Sequence, residues 1–126
     1  MNPRQEALKA RTKRFALDVL DLVETLPRQG PAVRIGWQLV DAATSVGANY
    51  RAACRARSDA EFAAKIGQVL EESDESLFWL ELCDARAIGL GTLGENLRSK
   101  SEIRYLSTSA APRPVRHRPV DPSRSA

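Results

Sequence analysis

The fold of this chain is decided in residues 47–82, which read GANYRAACRARSDAEFAAKIGQVLEESDESLFWLEL. The stretch contains the basic end of one helix, the start of the next, and an acidic amphipathic continuation. Ser58 and Glu61 have the spacing of a capping box, in which a serine oxygen and a glutamate carboxylate accept hydrogen bonds from backbone amides at a helix start. The sequence therefore predicts a helix that begins at residue 59 and runs to about residue 88.

This predicted helix is apolar around a large part of its circumference. One stripe recurs at helical spacing and consists of Phe62, Ile66, Val69, Leu70, Leu77, Leu80 and Cys83. Phe78, Trp79 and Leu82 add apolar surface on a neighbouring face. Because a single core needs one stripe, we expect this helix to lie centrally or to contact another subunit. We predict an oligomer interface at these last three residues.

Two helices are predicted before it. The first covers about residues 4–26, and the segment PRQGP that follows stops a helix and turns the chain. The second covers about residues 32–56, and its predicted apolar face consists of Val33, Trp37, Val40, Ala43, Gly47, Tyr50 and Cys54. The middle of the second helix, AATSVGA, contains a glycine, which costs about 1 kcal/mol relative to alanine. We therefore expect another backbone to approach closely there.

The remaining chain predicts a weaker fourth helix and a tail. The fourth helix is predicted at about residues 92–109, after a group of glycines, and residues 112–126 form a basic, proline-rich tail that we expect to be disordered. Short connections between helices favour an antiparallel up-down-up-down bundle. The sequence thus predicts an all-α fold with one four-helix domain over residues 1–111.

Charge is distributed unevenly along the chain, although the net charge is only +3. Residues 1–56 carry nine Lys or Arg and five acids, residues 57–111 carry six and ten, and residues 112–126 carry four and one. A basic face that meets phosphate has this pattern. Helices or subunits that attract one another through opposite charges have it too, and the sequence leaves both interpretations open.

Three arginines near the end of the second helix form the main candidate binding patch. Arg51 and Arg55 are four residues apart and share a helix face, and Arg57 lies in the turn just beyond. The start of the third helix, with its free amides, also favours anions. The alternative is that these arginines pair with Asp59, Glu61 or other acids, or are simply solvated.

Other basic residues extend this candidate surface. Lys65 belongs to the third helix, and the first helix contributes Arg4, Lys9, Arg11, Lys13 and Arg14. If several of them act together, nucleic-acid binding should depend weakly on sequence and strongly on salt. The predicted contacts are Arg51, Arg55, Arg57, Lys65, Arg11, Lys13 and Arg14.

The sequence gives little support to an enzyme, a metal site or a membrane protein. His117 in the tail is the only histidine, and no glycine-rich phosphate loop or paired nucleophile and base is present. Glu71 and Glu75 share a face, but a di-iron bundle would need Glu-x-x-His pairs. No run of about 18 apolar residues occurs. We therefore expect a non-enzymatic cytoplasmic protein without a cofactor, and Cys54 and Cys83 as free thiols.

Several of these motifs together resemble a known family. The segments ANYRAACRARSDAEF and EESDESLFWLEL, with Lys65 between them, are similar to the bacterial four helix bundle protein family, also described as proteins encoded by intervening sequences in 23S ribosomal RNA genes. The resemblance covers roughly residues 34–82 closely and the first helix loosely. The chain departs from the family after residue 82, where ENLRSKSEIRYLSTSA replaces a strongly apolar last helix.

The resemblance implies an up-down four-helix bundle and, among studied relatives, a homopentamer. One related group is the accessory protein of diversity-generating retroelements, which binds a reverse transcriptase and nucleic acid through a basic surface. The hypothesis is therefore a non-enzymatic, oligomeric bundle that binds RNA or DNA backbone, as an accessory to another nucleic-acid protein. The alternative is a structural or protein-interaction module that does not bind nucleic acid and uses its charge asymmetry for subunit assembly.

Overall fold

The computed structural model describes residues 2–86, 99–100 and 102–106, and every element of regular secondary structure in that part of the chain is helical. Helix α1 covers Pro3–Glu24, α2 covers Pro31–Cys54 and α3 covers Asp59–Ala85. Residues 99–100 and 102–106 are also helical and form what we term the C-terminal segment. The all-α fold is confirmed. The rest of the predicted fourth helix, and the tail of residues 112–126, lie outside the described residues.

Local signals set the ends of α1 and the start of α2. The Asn2 side chain accepts a hydrogen bond from the Gln5 amide at 2.8 Å, and a proline opens the first turn of each of these two helices. After α1 the chain turns at Gly30, whose φ of 70° lies in the left-handed region that favours glycine. The PRQGP segment thus separates two helices, as the sequence predicts.

The start of α3 differs in one detail from the predicted capping box. The Ser58 hydroxyl accepts a hydrogen bond from the Glu61 amide at 3.1 Å, as expected. The Glu61 carboxylate, however, accepts from the backbone N–H of Arg57 at 3.1 Å rather than from that of Ser58. The carboxylate therefore ties down the connection between α2 and α3 one residue earlier than the motif implies.

Helices α1 and α2 approach one another over glycines. A Cβ atom on Gly47 would lie 3.4 to 3.6 Å from the Oγ1, Cβ and backbone carbonyl carbon of Thr12. A Cβ atom on Gly36 would lie 3.2 Å from Cγ1 of Val23 and 3.6 Å from Cδ1 of Leu26. The close approach predicted at the middle of α2 is confirmed, because the backbone of α1 passes directly beside Gly47.

The core lies between the helices and takes fully buried side chains from each of them, including Phe15, Val19, Leu39, Val46, Ile66, Val69, Leu80, Ile103 and Leu106. The predicted apolar face of α2 is wrong at Trp37 and Val33, which are exposed by 67% and 37%. Gly36 and Leu39 are buried instead. The reason is that contact with α1 uses the small residues of α2, which turns the larger Trp37 outward.

The C-terminal segment is held to the other helices by apolar and ionic contacts. Ile103 and Leu106 are buried in the core. Lys100 forms an ion pair and hydrogen bond with Asp84 of α3. Arg104 and Glu81 also form an ion pair, at 3.6 Å. In the described residues, no helix is both long and apolar enough to cross a membrane.

Candidate nucleic-acid interface

A basic groove of about 420 Å³ lies between α1 and α2. Lys9 and Lys13 of α1 line one side, and Arg51 and Arg55 of α2 line the other. Glu6 and Ala10 complete the lining. The structure thus brings Lys13, Arg51 and Arg55, three of the predicted contacts, into one concave site, which we term the basic groove.

Helical spacing and helix contact together build this groove. Lys9 and Lys13 are four residues apart, as are Arg51 and Arg55, so each pair lies on one face of its helix. The contact between Thr12 and Gly47 brings the two pairs to the same end of the helices. Lys9 is the additional basic residue of the groove, and its spacing from Lys13 is the sequence signal that singles it out.

The four cations of the basic groove have no ionic partner in the part of the chain that the structure describes. No carboxylate there lies within 4.0 Å of the charged nitrogens of Lys9, Lys13, Arg51 or Arg55. The alternative interpretation paired the arginines with acids at the start of α3. The Glu61 carboxylate instead accepts a hydrogen bond from the backbone of Arg57. The arginine side chains of the groove are therefore available to a ligand.

Arg11 and Arg14 do not line the basic groove. Arg11 donates from Nε and Nη2 to the two carboxylate oxygens of Glu102, both at 2.8 Å, and its guanidinium lies 3.7 Å from the centre of the Tyr105 ring. The hydrogen bonds to Glu102 raise the pKa of Arg11 above its ordinary value. Arg14 forms an ion pair with Asp18 at 3.1 Å, one turn along α1.

Arg57 and Lys65 also lie apart from the lining of the groove. Arg57 is exposed in the connection between α2 and α3, and Lys65 is half-buried on α3. Neither has an ion pair among the residues that the structure describes. Both therefore remain candidates only for a ligand that extends beyond the groove.

Tyr50 is buried on α2, one residue before Arg51. Burial, followed by its interaction with Cys54, raises the pKa of the Tyr50 phenol to about 12. The phenol therefore stays neutral near pH 7 and adds no charge beside the groove. Cys54 and Cys83 are both free thiols, and burial raises the pKa of Cys83.

The acidic side of the molecule lies along α3. Burial raises the pKa of Glu72, and the charges of Glu75, Glu71 and Asp41 raise it further. Within the described residues, no group of three or more His, Cys, Asp or Glu side chains is arranged to hold a metal ion. The basic groove thus lies on α1 and α2. The acidic cluster lies on α3 and consists of Glu71, Glu72 and Glu75, with Asp41 of α2 beside it.

The predicted oligomer interface residues lie near the end of α3. Phe78 is 51% exposed, whereas Trp79 and Leu82 are half-buried. The rings of Phe78 and Trp79 meet edge to face, with centroids 5.1 Å apart. The Trp79 indole N–H donates to the Glu75 carboxylate at 3.3 Å. This part of α3 therefore presents apolar surface beside its acidic group.

Comparison with known proteins supports the helical fold. No protein-family model matches this chain, and no curated protein matches it. The fold is similar to that of a protein of unknown function from the S23 ribosomal protein family of Bacteroides thetaiotaomicron VPI-5482, with a TM-score of 0.74 and 24% sequence identity. The match covers 85% of this chain and 94% of that protein. This likeness shows the fold and is consistent with a related helical family.

Proposed function

We propose that this chain binds the phosphate backbone of nucleic acid in the basic groove between α1 and α2. The observation that carries the proposal is that Lys9, Lys13, Arg51 and Arg55 line one concave site without an ionic partner in the described chain. Four cations and the carboxylate of Glu6 give this lining a net charge of +3. The site therefore suits a ligand with repeated negative charge.

The side chains of the groove suit phosphate by geometry as well as by charge. A guanidinium group presents a planar fork of donors that matches two phosphate oxygens, and a lysine ammonium adds a mobile point charge. Such contacts read the backbone and not the bases, and they release counterions from the nucleic acid. Binding should thus be weakly sequence-specific and should weaken steeply as salt is added.

We extend the proposal to architecture and partners. Thr12 lies against Gly47 and Val23 against Gly36, an opposite order along the two helices that supports an antiparallel up-down-up-down bundle. Exposed Phe78 supports a homo-oligomer in which Phe78, Trp79 and Leu82 contact a second subunit, a pentamer by resemblance. The chain would act in the cytoplasm as an accessory to another nucleic-acid protein such as a reverse transcriptase.

The second candidate is a structural or protein-interaction module that does not bind nucleic acid. The observation that favours it is the exposure of large apolar side chains, above all Phe78 and Trp37. Exposed apolar surface is typical of protein contacts when it is contiguous. On this alternative, the basic and acidic surfaces attract one another between subunits, and the groove has no nucleic-acid ligand.

Binding of a short labelled RNA tests the proposal. Fluorescence anisotropy of a single-stranded four-nucleotide RNA at about 0.1 M salt compares the wild type with Arg51→Glu/Arg55→Glu. The matched control is Arg28→Glu/Arg86→Glu, which changes the charge equally at exposed positions outside the groove. Remote charges are screened beyond about 10 Å in this salt.

We expect the groove variant to lose affinity by about tenfold or more and the control by less than about threefold. If the wild type does not bind, or if both variants lose affinity equally, the groove is not the binding site. Light scattering on the same samples distinguishes the second candidate, the protein-interaction module, from the proposed nucleic-acid binding. That candidate predicts that the groove variant changes the mass of the assembly while RNA binding is absent throughout.

A further inference from the structure

Four large apolar side chains are exposed on the pair α1 and α2. Leu17 is 43% exposed, Leu20 39%, Val33 37% and Trp37 67%. Trp37 is the most exposed large apolar side chain in the described chain. An indole ring left in water at this level is available for contact with a ligand or partner.

These apolar residues lie on the same side of the molecule as the basic groove. Trp37 precedes Arg55 by 18 residues, and Val33 precedes Arg51 by the same number. This interval is about five full turns of helix, so each pair points in the same direction from α2. We term this surface, with the groove at one end and Trp37 at the other, the α1–α2 face.

Helix α1, like α2, has basic and apolar side chains along one side. Leu17 and Leu20 follow Lys13 by four and seven residues, which places all three on one side of α1. The contacts of Thr12 with Gly47 and of Val23 with Gly36 bring the basic halves of the two helices together and their apolar halves together. The α1–α2 face therefore has a basic half and an apolar half, and both helices contribute to each half.

We infer that the ligand of the α1–α2 face is a single strand, whose phosphates lie in the basic groove while an unpaired base stacks on Trp37. The inference rests on the proposed function and adds the class of nucleic acid. Surfaces that combine a basic groove with exposed aromatic rings bind single strands, because an unpaired base offers its ring face whereas a base in a duplex is stacked on its neighbours.

The dimensions of the α1–α2 face set the length of strand that reaches both halves. Eighteen residues of helix span about 27 Å at 1.5 Å per residue. At about 3.4 Å per nucleotide of stacked strand, this distance corresponds to about eight nucleotides. A strand of about twelve nucleotides therefore reaches both the groove and Trp37, whereas one of four nucleotides reaches only the groove.

The apolar half of the face also has acidic neighbours. Asp41 lies one turn from Trp37 on α2, and its carboxylate is close enough to Glu72 of α3 to raise the pKa of that residue. Asp41 is thus directed toward the α3 side of α2. On α1, exposed Glu24 follows Leu20 by four residues and lies on the same side, so the charge that attracts phosphates comes from the groove, and the contact at Trp37 is with a base.

Oligonucleotide length and strandedness test the inference. Anisotropy is measured with single-stranded RNA of twelve and of four nucleotides and with a twelve-base-pair duplex, for the wild type, Trp37→Ala and Trp37→Phe. Gln68→Ala is the control, because Gln68 is an exposed residue of α3 outside the α1–α2 face and outside the proposed subunit contact. Trp37 is largely exposed, so we expect all variants to fold, which circular dichroism checks.

The expected result is that Trp37→Ala weakens binding of the twelve-nucleotide strand by about 5- to 150-fold, the range of base stacking on an aromatic side chain. Affinity for the four-nucleotide strand and the duplex stays within about twofold. Trp37→Phe retains most of the affinity for the longer strand, since phenylalanine also stacks, and Gln68→Ala has no effect.

Other outcomes contradict the inference about Trp37 and leave the proposed role of the basic groove unchanged. An unchanged affinity of Trp37→Ala for the longer strand removes the stacking contact. An equal loss for single strand and duplex, with a change of mass in light scattering, assigns Trp37 to a contact between copies of the chain. If Arg51→Glu/Arg55→Glu loses binding and Trp37→Ala does not, the proposed function is intact and only the role of Trp37 is contradicted.

Discussion

The guanidinium group of Arg11 forms a two-point contact with the carboxylate of Glu102, and 91 residues separate the partners in the sequence. Both hydrogen bonds measure 2.8 Å, and the ring of Tyr105 covers the guanidinium. This contact joins the beginning of the chain to the C-terminal segment. An arginine predicted to bind nucleic acid is therefore engaged in holding two parts of the fold together.

We predict that Arg11→Ala lowers the free energy of unfolding by about 1 kcal/mol, because a paired, stacked arginine is lost. The side chains of Arg11 and Glu102 are 40% and 31% exposed, so solvent screening limits the effect. Urea denaturation measures it, and a double-mutant cycle with Glu102→Ala isolates the pair. Arg14→Ala is the control and should cost about 0.5 kcal/mol or less, since its pair with Asp18 is more exposed. A cycle without coupling would contradict the prediction.

Removing a single cation of the groove should change the salt dependence of RNA binding by a measurable step. Each phosphate contact contributes about 0.7 to the slope of log K against log salt for a single strand. Lys13→Ala should therefore reduce the steepness of that slope by about 0.7. Arg14→Ala should leave it unchanged, because Arg14 lies outside the groove and pairs with Asp18. Equal slopes for the wild type and Lys13→Ala would remove Lys13 from the phosphate contacts.

Two helical glycines should respond differently to alanine. A Cβ atom on Gly67 of α3 would meet nothing within 4 Å, whereas one on Gly36 would lie 3.2 Å from Val23. We predict that Gly67→Ala raises the free energy of unfolding by about 0.5–1 kcal/mol through reduced backbone entropy. Gly36→Ala should gain less, because Val23 must move. Thermal and urea unfolding measure the stability of both variants. A larger gain for Gly36→Ala than for Gly67→Ala would contradict the prediction and show that Val23 moves aside at little cost.

The raised pKa of Glu72 should make the free energy of unfolding decrease as pH rises. Its folded-state pKa lies above the ordinary value of 4.5, so the folded state binds this proton more tightly than the unfolded state does. The contribution to stability is therefore present below about pH 4.5 and is lost as pH rises through the raised pKa. Glu72→Gln should be more stable than the wild type at pH 7, by about 0.5 kcal/mol or less, and equal to it near pH 4. Urea midpoints across this range check the sign, and a variant that is less stable at pH 7 would contradict it.

Much of the fold could be predicted from the sequence because the signals act over short distances. The Ser58 hydroxyl reaches an amide three residues away, and the PRQGP turn acts through the fixed φ of proline and the left-handed φ of Gly30. The positions of the three long helices follow from such local effects and from apolar periodicity. The direction of the Trp37 side chain does not, because it depends on which face of α2 contacts α1.

The candidate site could be predicted only in part. The sequence places Arg51 and Arg55 on one face of α2, since a spacing of four residues fixes this within a helix. Only the tertiary structure selects which cations of α1 join them. Lys9 and Lys13 line the groove because α1 meets α2 beside Gly47, whereas Arg11 points to the C-terminal segment and is bound by Glu102.

The sequence by itself thus determined the three long helices, their boundaries within a few residues and the all-α class. The tertiary structure decided which charged side chains remain available and which large apolar side chains stay exposed. The physical reason is range: capping, turn geometry and periodicity act within three or four residues, whereas the partners of Arg11 and the surroundings of Trp37 come from helices far away in the sequence.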